Sequence, residues 1–194
     1  SWMSMVLGAG IALFEIVRLF SVNLVGLYLF AAGIAVLYPL PFLLKKRGGG
    51  LRSVPGLKLF LIAFTWAFTT AFIPAYLADH SPLFPFLERF LWTAALTIPF
   101  DVRDSSIDSS AIKTLPHIVG PRNSIFIAHA LLWLSFLVLV SVFGLAPLPT
   151  LLTFVFFATI IIIAHPRFGD LYYSLLIEGL PWILLGVVWV MPYL

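Results

Sequence analysis

One uninterrupted apolar run sets the class of this protein: Ser124-Ile-Phe-Ile-Ala-His129-Ala-Leu-Leu-Trp133-Leu-Ser135-Phe-Leu-Val-Leu-Val-Ser141-Val-Phe143. Its 20 residues include no aspartate, glutamate, lysine or arginine. About 20 consecutive apolar residues is the length that an α-helix needs to cross the hydrocarbon core of a bilayer. The run therefore predicts a transmembrane helix.

The rest of the chain has the same character. Its 194 residues are 62% hydrophobic and 10% charged, and the mean hydropathy is +1.11, whereas soluble domains carry about 25% charged residues. This composition excludes a soluble globular enzyme, and the absence of cysteine excludes disulfides and thiolate metal sites. Breaks at charges, prolines and glycines leave seven apolar segments, which are Trp2 to Leu19, Val22 to Leu44, Leu57 to Ala78, Leu83 to Phe100, Ser124 to Phe143, Leu148 to Ala164 and Leu171 to Met191. We therefore expect an all-α, polytopic membrane helix bundle with about seven transmembrane helices, in a single domain over residues 1–194.

The charges of the loops predict which side of the membrane each loop faces. Five basic residues lie in the loop after Leu44 and at the start of the third segment, where the last of them is Lys58; three follow Phe100, and one follows Ala164. These loops alternate along the chain, so seven spans place nine of the 11 basic residues on one side. By the positive-inside rule, we expect that side to be cytoplasmic.

The longest of these loops concentrates acidic residues. Asp101, Asp104 and Asp108 stand at i, i+3 and i+7, so a continuation of the preceding helix places all three on one face. Like charges at this spacing repel each other, which a shared counterion would relieve. Carboxylate oxygens suit Mg²⁺, which is often shared with substrate phosphates. The spacing therefore suggests a Mg²⁺ site, and the alternative is a solvated loop in which Asp108 caps a short helix.

Basic and aromatic side chains near this loop are candidates for binding phosphate. Lys113 lies in the same loop, and Lys45 and Lys46 lie in the neighbouring cytoplasmic loop. Arg103 is a further candidate, although a helix would point it away from the aspartate face. Tyr38 could donate a hydrogen bond to a diphosphate oxygen. Alternatively, Tyr38 belongs to the aromatic belt at the membrane interface, and the lysines attract anionic lipids.

Together these stretches resemble the UbiA superfamily of intramembrane prenyltransferases. The residues that match the family's second aspartate-rich motif are Asp101, Asp104, Asp108, Thr114-Leu115-Pro116 and Gly120. The stretch from Tyr38-Pro39-Leu40-Pro41 through Lys45-Lys46 is similar to the family's cytoplasmic Tyr…Lys segment. The resemblance implies a UbiA prenyltransferase-like fold of nine helices around a cavity open to the membrane. This chain aligns with the last seven, so the first two helices and the first aspartate-rich motif would precede Ser1.

The resemblance also implies an activity, which is Mg²⁺-assisted transfer of an isoprenyl group from an isoprenyl diphosphate to a lipophilic acceptor. Asp101, Asp104 and Asp108 would be catalytic and would hold the metal. The substrate-binding residues would be Tyr38, Lys45, Lys46, Arg103, Lys113 and Glu178. The expected location is the bacterial inner membrane, in contact with lipid, with the active face in the cytoplasm and no nucleic-acid partner.

Two alternatives to this activity stay open. The first is a catalytically impaired relative that binds a polyprenyl or carotenoid-like lipid, or a biosynthetic partner. Ser106 and Ile107 favour it, because the family commonly has an acid and a glycine at these positions. The second is a transporter or channel, which ranks lowest because the acidic residues lie at one membrane face rather than along a path.

Four ionisable groups outside the aspartate motif also carry expectations. Glu178 lies two turns beyond Asp170, and a carboxylate at that depth should face a cavity or a partner, so we expect it to contact the acceptor. Asp170 either complements the start of the last helix or lies near the aspartate face. We expect His129 to form a hydrogen bond with a neighbouring helix. Glu88 is isolated from other acidic residues, as are Glu15 and Asp79, so none of them replaces the first aspartate-rich motif.

Overall fold

The computed structural model describes residues 22–37, 56–105, 114–164 and 168–190, and every regular element in these ranges is a helix. This confirms the all-α expectation for the described residues, whereas the expected segment from Trp2 to Leu19 lies outside them. The helices are α1 (Val22–Leu37), α2 (Leu57–Leu77), α3 (Leu83–Asp104), α4 (Leu115–Val119), α5 (Pro121–Ser141), α6 (Pro147–Ile162) and α7 (Tyr172–Ile177 followed by Leu180–Val190).

Two of these helices, α2 and α5, are long and apolar enough to cross a membrane by length and composition. Each has 21 residues, and their hydropathies are 1.6 and 2.2. The apolar parts of α1, α6 and α7 are shorter, and α3 carries five charged side chains, Glu88, Arg89, Asp101, Arg103 and Asp104. Of the seven expected transmembrane spans, two are therefore supported by the described helices. The other five stay a prediction.

The helix α3 is the centre of the packing. It packs most extensively against α5 and next against α2. Trp92 on α3 is 2% exposed, and its ring centroid lies 5.6 Å from that of Phe154 and 5.1 Å from that of Phe157 on α6. Ala95 on α3 and Ala128 on α5 are fully buried in the same cluster. Small residues of this kind let two helix backbones approach closely.

Two π-helical turns interrupt the regular helices, at Phe68–Phe72 in α2 and at Tyr172–Ile177 in α7. A proline follows each turn, Pro74 in α2 and Pro181 in α7. Proline has no N–H to donate to the preceding turn, and a widened turn accommodates that missing hydrogen bond. Such turns occur frequently at functional sites, and both of these adjoin the groove of the candidate site.

Gly179 follows the second π turn, at a position that admits no side chain. A Cβ atom there would lie 2.3 Å from the carbonyl oxygen of Leu175. We expect Gly179→Ala to lower the free energy of unfolding by about 1–3 kcal/mol, because the backbone itself must move to relieve the contact. Thermal unfolding in detergent, followed by circular dichroism, measures this loss.

Gly186→Ala on the same helix is the matched control. A Cβ at Gly186 meets nothing within 4 Å, and alanine has the higher helix propensity. The control variant should therefore unfold at the wild-type temperature or above it. Equal unfolding temperatures for the two variants would contradict the role of Gly179.

Candidate functional site

Charged side chains from three helices meet at the C-terminal end of α3. We call this group, Lys58, Asp101, Arg103, Asp104 and Asp170, the charged cluster. The Lys58 ammonium donates to Oδ1 of Asp101 at 2.5 Å, and Nε of Arg103 donates to Oδ1 of Asp104 at 2.7 Å. Nη1 of Arg103 lies 3.4 Å from Oδ1 of Asp170. The start of α2, the end of α3 and the start of α7 are thereby joined by ion pairs.

The two α3 aspartates of the cluster differ sharply in accessibility. The side chain of Asp101 is 1% exposed, and that of its partner Lys58 is 15% exposed. The side chain of Asp104 is 31% exposed. Asp101 thus faces the interior between α2 and α3, whereas the side chain of Asp104 is partly exposed. Lys58 is one of the five basic residues that predicted the cytoplasmic side, and nothing in the sequence indicated its ion pair with Asp101, from which it is 43 residues distant.

Arg103 does not point away from the aspartate face, and that expectation is wrong. Its guanidinium carbon lies 5.4 Å from the ring centroid of Phe100 and 4.9 Å from that of Tyr173, and it bridges Asp104 and Asp170. The arginine side chain is long enough to cross the turn of about 100° that separates neighbouring helix positions. The hydrogen bond to Asp104 raises the pKa of Arg103 above its already high usual value, so the guanidinium stays charged.

A groove of about 570 Å³ begins beside the charged cluster. We call it the long groove. Its walls come from α2, α3 and α7, and its lining residues are Trp66, Thr70, Arg89, Trp92, Thr93, Leu96, Thr97, Phe100, Ile177, Glu178, Pro181 and Trp182. The α3 members recur every three or four residues from 89 to 100, so the groove follows one face of that helix for about three turns. Such a shape suits an elongated lipophilic molecule.

Phe100 connects the long groove to the charged cluster. Its side chain lines the groove, and the guanidinium of Arg103 stacks on its ring. Glu178 lines the groove further along, in agreement with the expectation that this carboxylate faces a cavity. The site therefore consists of the charged cluster at one end and a groove lined mainly by apolar and aromatic side chains, which also contains Arg89 and the carboxylate of Glu178.

Glu88 is buried, and it has hydrogen-bond and charge partners that the sequence did not predict. Its side chain accepts a hydrogen bond from Oγ of Ser135 on α5 at 2.9 Å, and its Oε2 lies 3.8 Å from Nε of Arg89. A serine inside an apolar helix is a recognisable source of such a hydrogen bond. The two residues are 47 positions apart in the sequence, so local spacing could not predict their hydrogen bond.

Five of the predicted site residues lie outside the described ranges, namely Tyr38, Lys45, Lys46, Asp108 and Lys113. Among the residues that the structure describes, no group of three or more His, Cys, Asp or Glu side chains could hold a metal ion. Asp101 is closed off by Lys58, whereas Asp104 is accessible. The described residues alone therefore do not form a Mg²⁺ site.

Comparison with known proteins finds no relative of this chain. No protein-family model, no curated protein and no solved structure matches it. The resemblance to the UbiA superfamily therefore rests on the quoted sequence motifs alone.

Proposed function

We propose that the chain is an integral membrane prenyltransferase of the UbiA type, which transfers an isoprenyl group from an isoprenyl diphosphate to a lipophilic acceptor. The observation that supports this best is the junction at Phe100, where the charged cluster meets the long groove. An isoprenyl diphosphate is divided in the same way, into a compact charged head and an elongated apolar chain. The head would lie at the charged cluster and the chain in the long groove.

Arg103 is the described cation that would meet the diphosphate. Its contacts with Asp104 and Asp170 use Nε and Nη1, and a guanidinium has further N–H donors for a phosphate oxygen. Tyr38, Lys45, Lys46 and Lys113 are the additional candidates from the rest of the chain. The three lysines would bring the positive charge that a diphosphate requires, and Tyr38 would donate a hydrogen bond.

Mg²⁺ enters the proposal only through Asp104 and Asp108. A divalent cation there would stabilise negative charge on the departing diphosphate. Asp101 would stabilise the position of Asp104 and Asp108 indirectly, because its carboxylate already forms an ion pair with Lys58 between α2 and α3. In this arrangement Asp101 positions the end of α3 and does not touch the substrate.

The transfer itself requires one bond to break and one to form. The bond between the allylic carbon and the diphosphate oxygen breaks, and its electron pair leaves with the diphosphate. The aromatic rings of the long groove, such as Phe100 and Trp92, present faces that attract a cation. A nucleophilic atom of the acceptor then bonds to the allylic carbon. Glu178, which lines the groove, accepts the proton that the acceptor loses.

A second candidate function is binding without catalysis. It is favoured by the burial of Asp101 against Lys58, which removes one of the three carboxylates from the expected metal site. The chain would then hold a polyprenyl or carotenoid-like lipid in the long groove, or serve a biosynthetic partner. The two functions differ in whether a diphosphate head is needed for binding.

The direct test is binding of non-hydrolysable isoprenyl thiodiphosphates to the purified full-length protein in a fixed detergent and salt. We expect binding that requires Mg²⁺ and that inorganic diphosphate displaces. The corresponding isoprenyl alcohol, which lacks the charged head, is the control ligand. Absence of thiodiphosphate binding by the folded protein would overturn the proposal, and tight binding of the alcohol instead would favour the second candidate.

Thr97→Phe tests whether the chain lies in the long groove. Thr97 is half-buried in the groove wall, with its hydroxyl donated to the carbonyl oxygen of Thr93 at 2.8 Å, so phenylalanine would fill part of the groove. We expect the affinity for a long-chain thiodiphosphate to fall about tenfold, a cost of about 1.4 kcal/mol, which lies within the range for overpacking. The affinity for the short dimethylallyl analogue should change little.

Thr159→Phe on α6 is the matched control. Thr159 is exposed, and its hydroxyl also donates to a carbonyl one turn back, that of Val155, at 2.8 Å. It does not line the long groove. If both variants lose long-chain binding to the same extent, the groove is not the chain site.

A further inference from the structure

A separate cavity of about 680 Å³ lies where the end of α3, the start of α5 and the end of α6 meet. We call it the side cavity. None of the described residues lines both this cavity and the long groove. The described residues that line the side cavity are Val102, Pro121, Arg122, Ile125, Phe126, His129, Ile162 and Ala164. Six of these eight side chains are apolar. The two polar ones, Arg122 and His129, are therefore the groups that would select an occupant.

Arg122 brings a positive charge to the side cavity that no described carboxylate balances. Its guanidinium carbon lies 5.8 Å from the ring centroid of Phe126, and none of the ion pairs within the described ranges includes it. Among the described residues, no aspartate or glutamate lines the cavity. The electrostatics of the cavity therefore favour an anionic group beside Phe126.

His129 lies about one turn further along α5. Three residues separate it from Phe126, which corresponds to about 4.5 Å along the helix axis. Its ring lines the cavity. The Nε2 atom is buried and has no hydrogen-bond partner within the described ranges. In those ranges, Nε2 therefore does not form the hydrogen bond to a neighbouring helix that the sequence predicted. Buried polar atoms normally have a partner. A rotation of the imidazole towards a polar ligand group would supply one.

We propose that the side cavity binds one anionic glycerophospholipid. The lipid phosphate would bind Arg122, and an ester carbonyl, which lies a few atoms from the phosphate, would accept a hydrogen bond from His129. The acyl chain would continue along the apolar wall formed by Ile125 and Ile162. An anionic headgroup fits better than a zwitterionic one, because no described carboxylate is present to balance a choline. This inference rests on the membrane location proposed above but not on prenyl transfer.

Native mass spectrometry of the full chain tests the site, after incubation in detergent with equal amounts of phosphatidylglycerol and phosphatidylcholine. We expect the wild type to retain phosphatidylglycerol in preference. Arg122→Gln should lower its retention about fivefold, the usual contribution of one cation to binding an anionic lipid. Arg89→Gln is the matched control, because Arg89 is a second arginine of the described residues and it lines the long groove rather than the side cavity.

Two histidine variants test the deeper contact. His129→Leu should also lose phosphatidylglycerol, whereas His129→Gln should keep most of it because the amide can donate a hydrogen bond. If His129→Leu fails to fold, Arg122→Gln still tests the lipid site, because Arg122 is exposed. Equal retention of the two lipids by the wild type would overturn the proposal, and so would equal losses in Arg122→Gln and Arg89→Gln.

Thiodiphosphate binding measured on the same samples separates this proposal from the prenyltransferase proposal. Retention of phosphatidylglycerol without thiodiphosphate binding would support the side cavity and contradict prenyl transfer. The opposite pattern would contradict the side cavity alone.

Discussion

Asp104→Asn is expected to lower the affinity for isoprenyl thiodiphosphate about 10- to 100-fold, a change equivalent to the loss of one charge-assisted hydrogen bond of about 1.5–3 kcal/mol. Prenyl transfer should fall below detection. Asparagine keeps the shape of the side chain but removes the negative charge, which is the property needed both to hold Mg²⁺ and to fix the guanidinium of Arg103 at 2.7 Å. Isothermal titration with and without Mg²⁺ measures the first effect, and product formation from a radiolabelled isoprenyl diphosphate measures the second.

Asp79→Asn is the matched control for this charge removal. Asp79 is an exposed residue of the turn between α2 and α3, outside the charged cluster, and its φ of 56° is one that asparagine also adopts. The Asp79→Asn variant should bind the thiodiphosphate with wild-type affinity. Wild-type binding and turnover by Asp104→Asn would remove Asp104 from the proposed mechanism, and an equal loss in Asp79→Asn would point to a general effect of charge.

The described helices were largely predictable, because the signals that define them are local. The sequence predicted a span from Ser124 to Phe143, and α5 runs from Pro121 to Ser141. The difference at its start has a physical reason: Pro121 suits the first helical turn, and Gly120 before it has a φ of 84° that ends the preceding short helix. Apolar length and helix-breaking residues are properties of neighbouring positions, so one sequence is enough to read them.

The partnerships within the site were less predictable, because helix crossing determines them. Lys58 and Asp101 are separated by 43 residues, and nothing in the spacing of either helix places them together. The direction of Arg103 was mistaken for a related reason. Its carboxylate partner Asp170 and its aromatic neighbour Tyr173 come from α7, so the geometry of α3 alone could not give the position of its guanidinium.

Lys58→Met is expected to destabilise the protein by about 3–5 kcal/mol, the usual effect of removing one partner from a buried ion pair. Lys58 places its ammonium 2.5 Å from a carboxylate that is only 1% exposed. Methionine keeps most of the side-chain volume and removes the charge that neutralises Asp101. Denaturation in detergent, followed by circular dichroism, gives the change in the free energy of unfolding.

The double variant Lys58→Met/Asp101→Asn shows whether the loss arises from this ion pair. Removing both charges should restore much of the stability, because a buried pair is costly mainly when one charge is left behind, and the double-mutant cycle isolates the coupling between the two residues. A double variant no more stable than Lys58→Met would contradict the pairing.

The same set of variants also distinguishes the roles of the two aspartates of α3. If Asp101 positions the helix and Asp104 binds the substrate, the stabilised double variant should regain thiodiphosphate binding, whereas Asp104→Asn should lose binding while unfolding close to the wild-type temperature.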